Sequence, residues 1–556
     1  MRQYSLKMDI CGSENNWPGS WVSLSPTKNQ QFDPNPTSAI RYATISKRMG
    51  PTPEFSAVIE LFPQRDNQGN TWADRIDVMS TVILQARIGD ESKISNHVMF
   101  FGFVTRIESS QQNGPEPRES IVLYCRSIDF FLTNPIYAFD RLSDTMASAL
   151  GISYSLFNVL GGARVAGPLG NILDTILTQS ADEIFNTTYV HFPNGSSIPL
   201  SNIFSRFIYP YADMILSEGN MTPVAGTYNS IWDVVSSLSE TFNGFHFAFV
   251  DLVSDSQYNA FDPIYSKAIS GNSVKALRPL PISGLSENVY IALNIIPCPF
   301  PYLTLPEGTV VAGATSLNGD TSGLRAPLAP ITASFEGSLW DALSKNSILS
   351  KTVGNEAFSI DTVKDASNIP TAFLLGPNLS ASGEMDCNLY PCVVDLPAYR
   401  RIGYNPIESS TRFVNAGVTT SPDEQSAMAP LHKFCLMKAS FAGAQDYFRS
   451  GTVGTILSPD VSIGNVVWLS DIKRKRKRIG YVRGVQHNIN PFGANETVME
   501  LDRVLFEDEQ NNLDVELMSR FVISPLASLT DQLNHRGSLT PLPEYCGDFV
   551  QSRLNQ

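Results

Sequence analysis

Six consecutive basic side chains, Lys473, Arg474, Lys475, Arg476, Lys477 and Arg478, stand in a 556-residue chain whose formal net charge is −14. A run of this density can hold phosphate, be read as a localisation signal, or form a charged turn against an acidic surface. Neighbouring like charges repel in water by up to about 1 kcal/mol per pair, less in salt, so the run needs solvent or an acidic partner. Acid follows closely in Glu500, Asp502, Glu507, Asp508, Glu509, Asp514 and Glu516. The acidic balance of the whole chain argues against a dedicated nucleic-acid binder. The reading adopted is a charged turn that meets an acidic surface of its own or a neighbouring subunit. Lys473 to Arg478 and Glu507, Asp508 and Glu509 are then interface candidates; DNA contact and a localisation signal stay open.

Other chemistry-bearing residues are dispersed. The cysteines, Cys11, Cys125, Cys298, Cys387, Cys392, Cys435 and Cys546, are scattered and odd in number, the pattern of free thiols. Cys387 and Cys392 alone lie close, at a spacing that fits no strong redox or zinc signature, and are expected to be ordinary thiols, a late disulfide being the alternative. The histidines, His97, His191, His246, His432, His487 and His535, never recur at the three- or four-residue spacing of a helical ligand pair. A lone strand histidine such as His246, between two phenylalanines, is expected to be a packed core residue. Phosphate-loop, His-Glu-x-x-His and nucleophile-elbow patterns are missing from the chain. Scattered carboxylates neither favour nor exclude a glycosidase pair. No catalytic residue, metal site or cofactor is expected.

The elements that position these residues are mostly strands. Low charge (17%), with 37 Gly, 36 Pro, 31 Phe and 19 Tyr, favours a β-rich, loop-rich chain. No apolar stretch is long enough to cross a membrane as a helix, so no membrane insertion is expected. "MRQYSLKMDICGSENNW" lacks an apolar signal core, and the chain is expected to fold where it is made. Residues 1–135 alternate strand and turn: "PEFSAVIELF", "VMSTVILQARIGD", "HVMFFGFVTRIESS" with Phe101, Phe103, Thr105 and Ile107 on one face, and "RESIVLYCRSIDFFL" with Ile121, Leu123 and Cys125 opposing Val122, Tyr124 and Arg126.

Residues 136–250 carry helical spacing in "DRLSDTMASALGI", "LGNILDTILTQSADEIF" and "IPLSNIFSRFIYPYADMIL". There Ser230 is placed to cap a helix bearing Trp232, Val235 and Leu238, followed by a turn and an apolar strand. Residues 251–430 read as a loop-rich insert or middle domain, with short strands and a helix near "SLWDALSKNSIL". Strands return over 431–506: Val466 to Leu469 form one, Tyr481, Arg483, Val485 and His487 share a face of the next, and Met499, Leu501 and Leu505 share a face of the last. Residues 507–556 read as a helix interrupted at Pro525 and an extended arm.

With the strands placed, "GTVGTILSPDVSIGNVVWLSD", "IGYVRGVQHNIN" and "NETVMELDRV" resemble the closing barrel of the baseplate hub proteins of contractile phage tails and related injection machines. "FFGFVTRIES" followed by "IVLYCRSID" resembles that family's first barrel, and "SIWDVVSSLSETFNGFHFAFVD" its helix-then-strand unit. Pro459 and Gly464 shape a turn before a strand, and Gly484 keeps the next strand slim where a neighbour crosses. The basic run is not part of the family pattern.

The resemblance implies a mainly β chain with short helices, a β-rich α+β fold in which two similar small β-barrels flank a mixed α/β middle. It implies a homotrimer whose six barrels continue a six-fold tail tube on one side and seat a three-fold central spike on the other. Partners would be the tail tube protein, the spike protein, other baseplate proteins and the tape measure protein. DNA would pass through the lumen without specific binding, in a virion baseplate assembled in the host cytoplasm, with no catalysis. A basic hairpin facing the lumen would retard DNA; facing outward or a neighbour, it would add a charge contact. The alternatives are a carbohydrate- or receptor-binding tail protein, motivated by Phe300, Tyr302 and Trp340, and a tail-associated cell-wall hydrolase.

Overall fold

In the computed structural model of the chain, the alternating apolar segments near both ends become strands of one continuous sheet. The structure describes residues 3–11, 21–25, 37–38, 40–49, 53–63, 69, 71–90, 93–112, 118–133, 189–204, 230–238, 246–254, 279–282, 285–297, 349–353, 357–363, 369–377, 392–411, 442–443, 445, 448–459, 461–471, 475–490, 493–506 and 521–523. These residues are mainly β, with short helices.

The first strands are β1 (Gln3–Cys11), β2 (Trp21–Ser25), β3 (Thr37–Ser38), β4 (Ile40–Arg48), β5 (Glu54–Leu61), β6 (Thr81–Asp90), β7 (Lys93–Gln112) and β8 (Arg118–Arg126). Helix α1 (Trp72–Arg75) precedes β6, and α2 (Asp129–Thr133) follows β8. The strands pair in the order β3-β2-β1-β6-β7-β8-β5-β4. Period-2 burial fixes the register of β8, where Ile121, Leu123 and Cys125 are buried and Val122, Tyr124 and Arg126 are half-buried. Leu6, Met8, Ile59, Leu84 and Phe100 are buried on the same side, while Phe101 on the other side stacks on Phe192.

Between the ends lie the hairpin β9 (Tyr189–His191) and β10 (Ser197–Pro199), helices α3 (Leu200–Phe204) and α4 (Ile231–Leu238), and the antiparallel pair β11 (His246–Ser254) and β12 (Val289–Pro297). As expected, Ser230 caps α4: its Oγ accepts from the Asp233 N–H at 3.1 Å, and the helix buries Trp232 and Val235. The helical segments expected between 139 and 185 and near 338–349, Lys473 and Arg474, Cys387, Glu507 to Glu509, and Phe300, Tyr302 and Trp340 lie outside the described residues.

The remaining elements are β13 (Leu349–Val353), β14 (Ala357–Val363), β15 (Ala372–Pro377), β16 (Cys392–Asp395), α5 (Leu396–Ile402), β17 (Pro406–Thr411), β18 (Arg449–Ile456), β19 (Val466–Asp471), β20 (Arg476–Ile489), β21 (Glu496–Phe506) and β22 (Phe521–Ile523). β17, β15, β16 and β22 form a separate sheet. The pairings β13–β14–β18–β21–β20–β19 run in a closed circuit, because β19 bonds to β13 on one side and to β20 on the other. β13 and β14 come from the loop-rich segment, yet they pair with strands near the C-terminal end. Their sequences, LSKTV and AFSIDTV, are short and lie among loops, and nothing local names the strands they pair with.

Taken in chain order, the sets β1, β4, β5, β6, β7, β8 and β13, β14, β18, β19, β20, β21 follow one path: first, fourth, fifth, sixth, third, second. They differ at the first strand, since β1 runs antiparallel to β6 and β13 parallel to β19. The closing β13–β14 pair has no counterpart between β1 and β4 among the described residues.

Two expected faces are corrected. In β7 and β20 the alternation shifts at the bulges Thr105 and Arg483, so Phe101 and Phe103 fall on the opposite face from Ile107, and Tyr481 on the opposite face from Val485 and His487. Phe100 and Phe101 are both buried, as are Phe103 and Val104, while Thr105 is half-buried; Tyr481 and Val482 are buried, and Arg483 points to solvent. Helical periodicity around Phe521–Ile523 also misled: the β-branched pair Val522 and Ile523 precedes Pro525 and forms the edge strand β22 on β16.

Candidate assembly interface

The repeat holds residue by residue. Across β7 and β8, Val104 pairs with Cys125, Thr105 bulges, then Arg106 pairs with Tyr124 and Ile107 with Leu123. Across β20 and β21, Val482 pairs with Leu501, Arg483 bulges, then Gly484 pairs with Glu500 and Val485 with Met499. A second bulge is shared: Arg41 is extra between the pairs Ile40–Leu61 and Tyr42–Glu60, as Phe358 is between Ala357–Thr455 and Ser359–Gly454. The turn before the fourth strand repeats as well. Met79 N–H donates to Val104 O at 2.6 Å and Val104 N–H to Ser80 O at 3.0 Å; Gly464 N–H donates to Val482 O at 2.9 Å and Val482 N–H to Asn465 O at 2.8 Å. "IDVMSTVIL" from Ile76 and "VSIGNVVWL" from Val461 are thus one stretch used twice, as are "GFVTRI" from Gly102 and "GYVRGV" from Gly480.

The two units meet where β4 adds to β20, antiparallel from Arg48–Gly484 to Ala43–Ile489. Met49 N–H donates to Arg483 O at 3.0 Å, and Thr44 Oγ1 donates to Asn488 Oδ1 at 3.2 Å. Arg48 Nε stands 3.2 Å from Glu500. Gly484 meets the Glu500 side chain, not a backbone; close backbone crossings lie instead at Gly451, against Asp361 O, and at Gly102, where a Cβ would stand 2.3 Å from Arg126 O. Beneath the joint, the buried Lys47 ammonium bonds to Asp251 of β11 and sits 4.9 Å from the Phe55 ring centroid. Asp251 Oδ1 also accepts from the Leu252 N–H at 2.7 Å, so the ion pair ties the joint to the middle of the chain.

His487 is buried beside this pair, its Nδ1 2.9 Å from Thr497 Oγ1. That hydroxyl accepts from the Ser458 N–H at 2.9 Å. Burial first, then the positive Lys47, depresses the His487 pKa to about 3, so the ring is neutral at physiological pH.

Arg476, Lys477 and Arg478 of the basic run open β20 opposite β19, with Leu469–Arg478, Ser470–Lys477 and Asp471–Arg476 as cross-strand pairs. Lys475 holds the turn with φ of 51°. Arg476 and Arg478 alternate onto one face and lie over Phe506, 5.4 and 4.7 Å from its ring centroid, where Arg449 joins them at 4.3 Å. Lys477 points to the other face, over Trp468 at 5.4 Å. Packing on aromatic faces lets these cations stand close together. Glu507, Asp508 and Glu509 follow Phe506 directly in the chain.

Sequence reasoning missed the Arg449–Phe506–Arg478 stack and the Lys47–Asp251 pair. Neither has a local signal, since the partners are brought together by strands far apart in the chain. Among the described residues, no group of three or more His, Cys, Asp or Glu stands ready to hold a metal ion, and no helix is long and apolar enough to cross a membrane.

No known protein-family profile matches the chain, and neither does any curated protein. Solved structures similar to it include the 43 kDa tail protein of prophage MuSo2 from Shewanella oneidensis, at 10% identity and a TM-score of 0.41, covering 89% of this chain and 98% of that one. A tail protein from Neisseria meningitidis MC58 is 8% identical, with a TM-score of 0.38 over 91% of this chain and 98% of that one. The prophage tail protein gp18 from Listeria monocytogenes EGD-e is 10% identical, with a TM-score of 0.34 over 93% and 98%.

Proposed function

We propose that the chain is a structural component of a phage-type tail baseplate: a hub in which three copies, each carrying two like β units, present six equivalent units around a lumen. The register-level duplication carries this reading, since a subunit built twice over is what a three-fold object needs to match a six-fold one. On this reading the six-fold face meets the tail tube protein and the tape measure protein. The opposite face seats the central spike protein, other baseplate proteins pack outside, and DNA passes without being held. The chain's net charge of −14, repeated in each copy, suits a conduit that does not bind phosphate. The basic hairpin then serves as a charge contact between subunits, with Glu507, Asp508 and Glu509 as its partners. The role is mechanical, and no catalysis is assigned.

The test is the mass of the purified chain in solution, with low-resolution imaging along the particle axis. A trimer with a six-lobed ring is expected. A monomer, or a ring of any other order, overturns the reading.

A further inference from the structure

We infer that two exposed strand edges, residues 106–111 of β7 and 360–363 of β14, are mates: the β14 edge of one copy takes up the β7 edge of a second copy as an antiparallel neighbour. The argument comes from the joint already made within the chain. There β4 of the first unit receives β20 of the second. By the register of the repeat, β4 corresponds to β14 and β20 to β7. Each chain therefore uses one member of each kind internally and, among the described residues, keeps one of each unpaired on that side.

Exposure agrees. Gly484, Val485, His487 and Ile489 of β20 are buried in the joint, whereas at the matching stations of β7 Arg106, Ser109 and Gln111 are exposed and Ile107 is half-buried. Along residues 106–111, β7 has a strand partner on the β8 side alone among the described residues. On the other member, Ala43 and Ile45 of β4 are fully buried, while their counterparts Ile360 and Thr362 are half-buried. Phe358 and Val363 flank them at 59% and 62% exposure, a large apolar surface for an unpaired edge. β14 bonds to β13 only at Val353–Ala357, which leaves the edge from Ile360 onward open among the described residues.

Transferring the internal register gives Glu108 opposite Val363, Ser109 opposite Thr362, Ser110 opposite Asp361 and Gln111 opposite Ile360. The contact is head-to-tail, so a copy that receives on β14 still offers β7, and the chain of contacts closes only as a ring. This deepens the hub reading and rests on it for the number of copies.

Cysteine pairs test it in the full chain: Ser109→Cys with Thr362→Cys, and Ser110→Cys with Asp361→Cys, adjacent stations so that one is the closer, non-hydrogen-bonded kind. Glu108→Cys with Ile360→Cys, three stations out of register, is the control. On mild oxidation we expect covalent dimer and trimer from at least one in-register pair, and none from the control or the parent chain. Hydrogen exchange on the unaltered assembly should show amides of 106–111 and 360–363 slowed by about tenfold or more relative to dissociated chains. A trimer that gives neither crosslinks nor protection overturns the edge assignment and leaves the trimer standing. A monomer removes both.

Discussion

Met79 and Gly464 hold the same backbone pose, φ 70° and 81°, and each donates its N–H to the valine just before a bulge, Val104 and Val482. One position tolerates a side chain in the left-handed region and the other avoids the cost, on the order of 1–2 kcal/mol for a residue with a Cβ. Gly464→Ala is expected to destabilise by about that amount, and Met79→Gly to be neutral or stabilising by up to about 1 kcal/mol. Denaturant midpoints check this, and equal losses at both sites would refute the equivalence.

Gly102→Ala places a methyl 2.3 Å from the Arg126 carbonyl oxygen, so β7 and β8 must part. A loss of about 3 kcal/mol or more is expected. Gly484→Ala meets the Glu500 carboxylate at 3.0 Å, a flexible end that can swing away, and should cost under about 1 kcal/mol. Thermal unfolding of the two variants side by side decides the ranking.

Lys47→Met leaves Asp251 charged and buried without its partner, and should cost about 3–5 kcal/mol. Lys47→Met with Asp251→Leu should recover most of that loss, because the double variant buries no charge. Urea melts of the single and double variants measure the recovery.

His487 stays neutral in the fold down to about pH 3, whereas its unfolded form takes a proton near pH 6.5. The unfolded state therefore binds the extra proton in this window. The stability that His487 contributes is complete above about pH 6.5 and is lost progressively as pH falls toward 3, with a slope of at most about 1.4 kcal/mol per unit. His487→Gln should flatten that part of the stability-against-pH curve. An unchanged slope would show that the imidazole titrates normally.

Phe506→Leu removes the ring shared by Arg449, Arg476 and Arg478, and is expected to cost roughly 1–3 kcal/mol. Replacing Lys473, Lys475 and Lys477 by Glu should leave folding of the single chain unchanged and weaken self-association, read by sedimentation. Assembly that survives the triple change would discard the charge contact between subunits.

Much of the strand content could be read directly. β8 obeys its period-2 pattern from Ile121 to Arg126, and Ser230 caps α4 where a serine before an apolar helix should. The basic run reads as a hairpin because it lies between two strand patterns. Other features left no local trace. A bulge at Thr105 or Arg483 is one residue of register set by the opposite strand, and nothing in sequence shows that Phe101 stacks on Phe192 while Phe100 meets Phe55. β13 and β14 are short, and their pairing with β19 and β18 is stabilised by partners about a hundred residues away.

The order of residues by itself determined the β-rich class, the strands with clean alternation and the capped helix. Local sterics and the burial of alternate side chains act over a few residues, so these are written where they act. Tertiary structure decided which strands became neighbours, that Lys47 found Asp251, and that β4 joined β20 while, among the described residues, the matching edges of β14 and β7 have no strand partner. Those outcomes depend on hydrogen bonding and desolvation between segments hundreds of residues apart, where no local pattern names the partner.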